Sequence, residues 1–134
     1  MSSEHLQPGL YFIKSQEDGH YLTASSADDR ITAQPEKKQP FFFQPVGENI
    51  FVILYEGRHI SARGDALIYG GQPTDWAVTK AETQNAWVLK DENSSVGWWF
   101  NIEESENVSL RPAIVLPSYP PQYPPPELFI LERV

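Results

Sequence analysis

The chain contains no cysteine. That excludes disulfide staples, thiolate zinc sites and thiol nucleophiles together. No stretch approaches the roughly 20 consecutive apolar residues of a membrane-spanning helix, and Met1-Ser2-Ser3-Glu4-His5 has no apolar run of signal-peptide length. A soluble, cytoplasmic protein is expected, in which Asn93-Ser94-Ser95 and Asn107-Val108-Ser109 match the glycosylation pattern without being used. Positive charge is also scarce, with 10 Lys and Arg against 18 Asp and Glu and a formal net charge of −8. Nucleic acid and acidic membrane are therefore unfavourable partners, because a binder must present concentrated Lys and Arg to phosphate.

The residues that carry most enzymatic chemistry are missing as well. His5, His20 and His59 are scattered rather than set at ligand spacing, and no HExxH pattern accompanies them, so neither a metal nor any other cofactor is expected. Glu103-Glu104-Ser105-Glu106 falls in a predicted hairpin turn, where adjacent acids face solvent instead of forming a tuned acid–base pair. Neither a nucleophile elbow nor a phosphate-cradling glycine loop is present, and no enzymatic activity is expected.

What the chain does have is aromatic bulk and many turns. Seven Phe, six Tyr and four Trp supply core groups, and 12 Pro with 8 Gly punctuate short strands. At 134 residues it is a single domain by size, able to bury about two-thirds of the surface its unfolded form exposes. One opening pattern occurs three times, as Leu10-Tyr11-Phe12-Ile13, Ile50-Phe51-Val52-Ile53 and Ala86-Trp87-Val88-Leu89, each an aromatic-and-branched run that reads as a strand. Each unit closes alike on Phe41-Phe42-Phe43, Trp76-Ala77-Val78 or Phe129-Ile130-Leu131, a large aromatic followed two positions later by an apolar residue on the same strand face.

The expected fold is therefore an all-β β-trefoil of twelve strands, with pseudo-repeats over 9–47, 48–84 and 85–134 of one domain. Strands are expected at 10–15, 21–24, 31–33 and 41–43, then at 50–55, 58–62, 66–69 and 76–78, then near 86–90, 97–102, 108–116 and 127–134. Glu17-Asp18-Gly19, Glu56-Gly57 and Gly64-Asp65 supply hairpin turns. The third unit carries extra length, most of it in Pro117-Ser118-Tyr119-Pro120-Pro121-Gln122-Tyr123-Pro124-Pro125-Pro126. This segment is expected to run as polyproline II and to be packed down by Tyr119 and Tyr123 as a strap over the barrel end.

A rigid scaffold with exposed loops acts by binding. Ser26-Ala27-Asp28-Asp29-Arg30-Ile31 places one long cation beside a β-branched residue at the end of a polar hairpin connection. Arg30 either presents itself there or neutralises Asp28 and Asp29.

The order Pro8-Gly9-x-Tyr11-x-Ile13, Asp28-Asp29-Arg30, and Ser118-Tyr119-Pro120-Pro121-x-Tyr123-Pro124-Pro125-x-Glu127-x-Phe129 resembles the mushroom β-trefoil serine protease inhibitors of the cospin and cnispin type. The resemblance implies a trypsin-like serine peptidase as partner and a role in fungal defence, and a monomer is expected. In cospin-like members the inhibitory residue is an Arg between the second and third strands, which Arg30 matches. The Lys that cnispin-like members carry in the last hairpin connection has no counterpart here. The implied mechanism is substrate mimicry by the loop Asp28, Asp29, Arg30 and Ile31, with the cation meeting a carboxylate in the primary pocket. Arg63, beside Gly64 in a tight turn, stands in reserve, and Lys37 and Lys38, in what reads as a solvated turn, come third.

Two other binding functions fit a trefoil. A carbohydrate-binding lectin would stack sugars on Trp98 or Trp99, adjacent residues that face opposite ways, although the Gln-x-Trp signature is absent because Gln84 and Trp87 are one residue too far apart. An inhibitor of cysteine proteases, as in the clitocypin and macrocypin group, would use Glu17-Asp18-Gly19-His20 as its wedge, a segment that also reads as an ordinary acidic hairpin turn.

Overall fold

The structure, a computed structural model, describes residues 5–25, 27–114 and 122–134. Twelve strands follow one another: β1 (Gly9–Ser15), β2 (Tyr21–Ala24), β3 (Ile31–Gln34), β4 (Phe41–Gly47), β5 (Ile50–Tyr55), β6 (Arg58–Arg63), β7 (Ala66–Tyr69), β8 (Trp76–Ala81), β9 (Ala86–Asp91), β10 (Val96–Trp99), β11 (Ser109–Pro112) and β12 (Phe129–Arg133). Six of them close a barrel. β1 pairs with β4, β4 with β5, β5 with β8, β8 with β9, β9 with β12 and β12 with β1, all antiparallel. Closure leaves the barrel no unpaired edge.

The other six strands form three hairpins, β2–β3, β6–β7 and β10–β11. These meet one another through the pairing of β11 with β7 and the bridges Arg30 to Ile68 and Thr32 to Asn107. This closed barrel with a triangular cap is the β-trefoil.

The alternation seen in the sequence explains the core. Tyr11, Phe51 and Trp87 are buried at one level, and Ile13, Ile53 and Leu89 two residues further along the same strands. Phe41, Trp76 and Phe129 are wholly enclosed, where the strands that end each unit turn their large aromatics inward. The cap adds Leu22, Ile60 and Trp98 from the first strand of each hairpin, and Ile31, Leu67 and Val108 from or beside the second. Trp98 does the work of a Leu or Ile in the other two hairpins, lying edge-on to Trp76 and Phe129 with ring centroids 5.4 and 6.1 Å away.

The third unit departs from the expected strand limits. β10 ends at Trp99 because the Phe100 N–H bonds the Pro126 carbonyl at 2.9 Å instead of continuing a ladder. The expected strand from 127 begins only at Phe129, because Pro125–Glu127 form a 3₁₀ turn. That turn also corrects the polyproline II expectation for the end of the proline run. Proline's fixed φ suits the first helical positions as well as an extended chain, and the Glu127 and Leu128 N–H groups find the Pro124 and Pro125 carbonyls at 3.0 Å. Tyr123 packs on Ala81, Ala86, Val88 and Leu128. Its backbone exchanges two 2.9 Å hydrogen bonds with the Gln84 side chain, giving the tie expected of a strap. Tyr119 and the rest of 117–121 lie outside the described residues.

Candidate functional site

Arg30 does not stand out from its loop. The Ser25 N–H bonds the Arg30 carbonyl at 2.8 Å, and the Arg30 N–H bonds Asp28 Oδ1 at 3.2 Å. Asp29 adopts the left-handed conformation at φ 58°, which short polar side chains tolerate, and its carbonyl accepts the Tyr69 N–H at 2.7 Å. The Arg30 side chain is half-buried. Its Nη2 donates to the Val108 carbonyl at 3.3 Å, and Nε is enclosed with no hydrogen-bond partner among the described residues. Asp28 and Asp29 are exposed, and among the described residues neither forms an ion pair with Arg30. The guanidinium, expected to point outward as the inhibitory cation, reaches instead from the β2–β3 hairpin to the segment before β11.

Arg63 ends β6 and is exposed, but Gly64 at φ 62° and Asp65 reverse the chain at once into β7. A two-residue hairpin of this kind holds the side chain at a sharp corner, not on an extended strand. Glu17 to His20 likewise form a tight turn. Gly19 takes φ 73°, Ser15 and His20 are joined by a 2.8 Å backbone hydrogen bond, and the Asp18 carboxylate lies 3.2 Å from His20 Nδ1.

The aromatic pair splits as alternation requires. Trp98 is fully buried, so the sugar-stacking expectation is corrected for that residue. Trp99 is half-buried, and its ring is covered by the Arg111 guanidinium, 4.6 Å from the ring centroid, while its indole N–H donates to Glu104 Oε1 at 3.1 Å. Arg111 bonds the same oxygen at 2.6 Å.

The β3–β4 connection differs from all of these. Residues 35–39 are exposed without interruption, and 37–40 take neither a turn nor a bend. None of the residues from Pro35 to Pro40 has positive φ. Proline biases the residue before it toward extended backbone, so the sequence itself favours an extended Gln39. Lys38 projects from the middle of this run and makes no hydrogen bond or ion pair among the described residues. The segment on its N-terminal side is fastened. Gln34 Nε2 donates to the Glu36 carbonyl at 3.0 Å, and Lys37 Nζ lies 3.4 Å from Glu132 Oε1. On the C-terminal side Phe41 is locked in the core and paired with both Tyr11 and Tyr55. Lys37 and Lys38 thus lie in a solvated segment, as expected, but 37–40 do not form the expected turn, and the bracketing Pro35 and Pro40 favour the extended course.

Among the described residues, Glu132 and Glu127 depart from ordinary carboxyl acidity. Hydrogen bonding to Lys14 holds Glu132 below the usual carboxylate range, whereas burial pushes Glu127 above it. Glu127 Oε2 accepts the Ile114 N–H at 2.8 Å, and Oε1 has no partner among the described residues. No group of three or more His, Cys, Asp or Glu side chains among the described residues is arranged to hold a metal ion.

Comparison with known proteins fits this picture of a loop-bearing barrel. A proteinase inhibitor from Coprinopsis cinerea superposes with a TM-score of 0.84 at 25% identity, covering 96% of this chain and 99% of that one. SeviL bound to the asialo-GM1 saccharide gives 0.74 at 15% identity, covering 96% and 99%. The Macrolepiota procera ricin B-like lectin in complex with lactose gives 0.71 at 13% identity over 100% of both chains. The two glycan complexes share the fold. No curated protein matches the sequence. Residues 4–133 match peptidase inhibitor I66, and so this chain belongs to the peptidase inhibitor I66 family and is an inhibitor of peptidases, not an enzyme.

Proposed function

We propose that this protein inhibits a trypsin-like serine peptidase by presenting the β3–β4 connection as a substrate, with Lys38 entering the primary pocket. One observation carries the reading: Lys38 lies in the exposed run 35–39, where 37–40 take neither turn nor bend and no residue has positive φ. A peptidase cleft takes its substrate as an added extended strand, using main-chain hydrogen bonds for affinity and a side-chain pocket for specificity. The cospin-like position, Arg30, offers a turn and a half-buried guanidinium instead.

The chemistry follows from the side chain and its mounting. The Lys38 ammonium meets a carboxylate at the base of the pocket, a charge-assisted contact in a desolvated site. Because β3 and β4 are fixed in separate sheet pairings on either side of the loop, little ordering entropy is lost on docking. If the bond after Lys38 is cut, the same strands keep the two new ends near each other, which slows their departure from the cleft.

Titration of trypsin with wild type, Lys38→Ala and Arg30→Ala tests the reading. Removing the ammonium leaves the pocket carboxylate unpaired, so Lys38→Ala should cost about 2 to 5 kcal/mol, or about 30-fold to several thousand-fold in the inhibition constant. Arg30→Ala should inhibit within a few-fold of wild type. Wild-type inhibition by Lys38→Ala, or its loss in a folded Arg30→Ala, overturns the assignment.

A further inference from the structure

A five-residue cluster on the outer surface of β2, β1 and β12 ends at the residue before Lys38. Phe12 faces Glu132 across the β1–β12 pair, and Lys14 faces Tyr21 across the β1–β2 pair. The Phe12 and Tyr21 rings stand edge to face with centroids 6.4 Å apart. Tyr21 OH donates to Glu132 Oε1 at 3.1 Å, and Lys14 Nζ lies 2.9 Å from Oε2. Together they make a seat with two aromatic walls and a carboxylate floor, which suits an ammonium group.

Lys37 occupies that seat. Its Nζ lies 3.4 Å from Glu132 Oε1, 4.8 Å from the Phe12 ring centroid and 5.4 Å from that of Tyr21. Lys14 is held on the other carboxylate oxygen, so two like charges share one acid and both depend on it. The doublet Lys37-Lys38 thus splits in function, one side chain turned back onto the barrel and the next turned out.

We propose that Glu132 is the positioning residue of the inhibitory loop: by seating Lys37 it fixes the backbone from which Lys38 projects. This rests on the β3–β4 reading above. A loop held in one shape binds without paying to order itself, and a loop released from that shape is a better substrate than inhibitor. One ion pair and two ring contacts to a single ammonium on a partly exposed surface give a modest effect, but it falls directly on the adjoining residue.

Three measurements on the full chain test the proposal: the inhibition constant for trypsin, the rate of hydrolysis of the Lys38–Gln39 bond, and backbone NMR order parameters for residues 36–39. Glu132→Gln keeps the side-chain shape and an oxygen for Tyr21 while removing the charge. It should weaken inhibition and speed cleavage by about tenfold, and lower the order parameters of 36–39 below about 0.6. Lys37→Met, at an exposed loop position where folding is not at stake, should do the same. Lys14→Met empties the other side of the carboxylate and should leave all three readouts at wild type; an equal loss there would assign the effect to strand packing and overturn the proposal. Unchanged order parameters in both Glu132→Gln and Lys37→Met would also overturn it. If instead Lys38→Ala inhibits like wild type, the loop assignment fails, and the order parameters still report whether Glu132 fixes the loop.

Discussion

Arg30→Ala should lower stability and spare inhibition. The guanidinium donates one hydrogen bond to the carbonyl of Val108, a wholly buried residue, at the long distance of 3.3 Å. A hydrogen bond to a charged group contributes about 1.5–3 kcal/mol at good geometry, and length and partial exposure reduce it here to about 1 kcal/mol. The half-buried methylene stem adds about 1 kcal/mol, at about 0.8 per fully buried CH₂. Removing the unpartnered Nε returns part of this, leaving a net cost of about 1–2 kcal/mol. For 134 residues the unfolding entropy is about 0.28 kcal/mol/K, so the melting midpoint should fall by about 4–7 °C. Calorimetry and trypsin titration on the same samples separate the two roles. A rise of more than about a hundredfold in the inhibition constant with an unchanged midpoint would refute the strut and restore Arg30 to the peptidase pocket.

The two buried tryptophans should respond differently to Phe. Trp76 Nε1 donates to the Ile60 carbonyl at 3.0 Å, whereas Trp98 Nε1 has no partner among the described residues. Trp76→Phe should therefore destabilise by at least about 1 kcal/mol more than Trp98→Phe in urea unfolding, and equal losses would show that the Trp76 hydrogen bond adds nothing. Glu127→Gln should melt higher than wild type at neutral pH. Its acidity is weakened by burial, so the folded state holds the proton more tightly than the unfolded chain. The associated stability is complete below the unfolded value, about 4.3, and is lost as pH rises through the folded one. The two melting curves should converge on acidification, and a constant gap from low to neutral pH would contradict this.

Much of the barrel was legible because its determinants are local and periodic. The thrice-repeated opening run marked β1, β5 and β9 as strands, and the recurring closing aromatics marked Phe41, Trp76 and Phe129 as large side chains of one strand face, where all three are found buried. The turn at Glu56-Gly57, with φ values of 51° and 82°, was readable from a glycine between two strand-forming runs. The proline run was not settled by composition, because Pro125 and Pro126 fit the start of a 3₁₀ turn as well as an extended chain.

The loops were less legible for a different reason. A cation in a polar connection reads the same whether it points to solvent or to a carbonyl, and Val108, which captures Arg30, belongs to another hairpin. Alternation separated Trp98 from Trp99 but could not say which one faced inward; that follows from Trp98 occupying the place of Leu22 and Ile60. Lys37 and Lys38 looked equivalent as a doublet, and only the return of β12 beside β1 brings Glu132 under one of them.

The most direct test is to find the bond that a peptidase attacks. Wild-type protein should be incubated with a catalytic amount of trypsin, quenched in acid, and its new termini read by mass spectrometry. A single slow cut after Lys38, giving a fragment that begins at Gln39, is the predicted result. A first cut after Arg30 or Arg63, with the Lys38–Gln39 bond intact, would contradict the account.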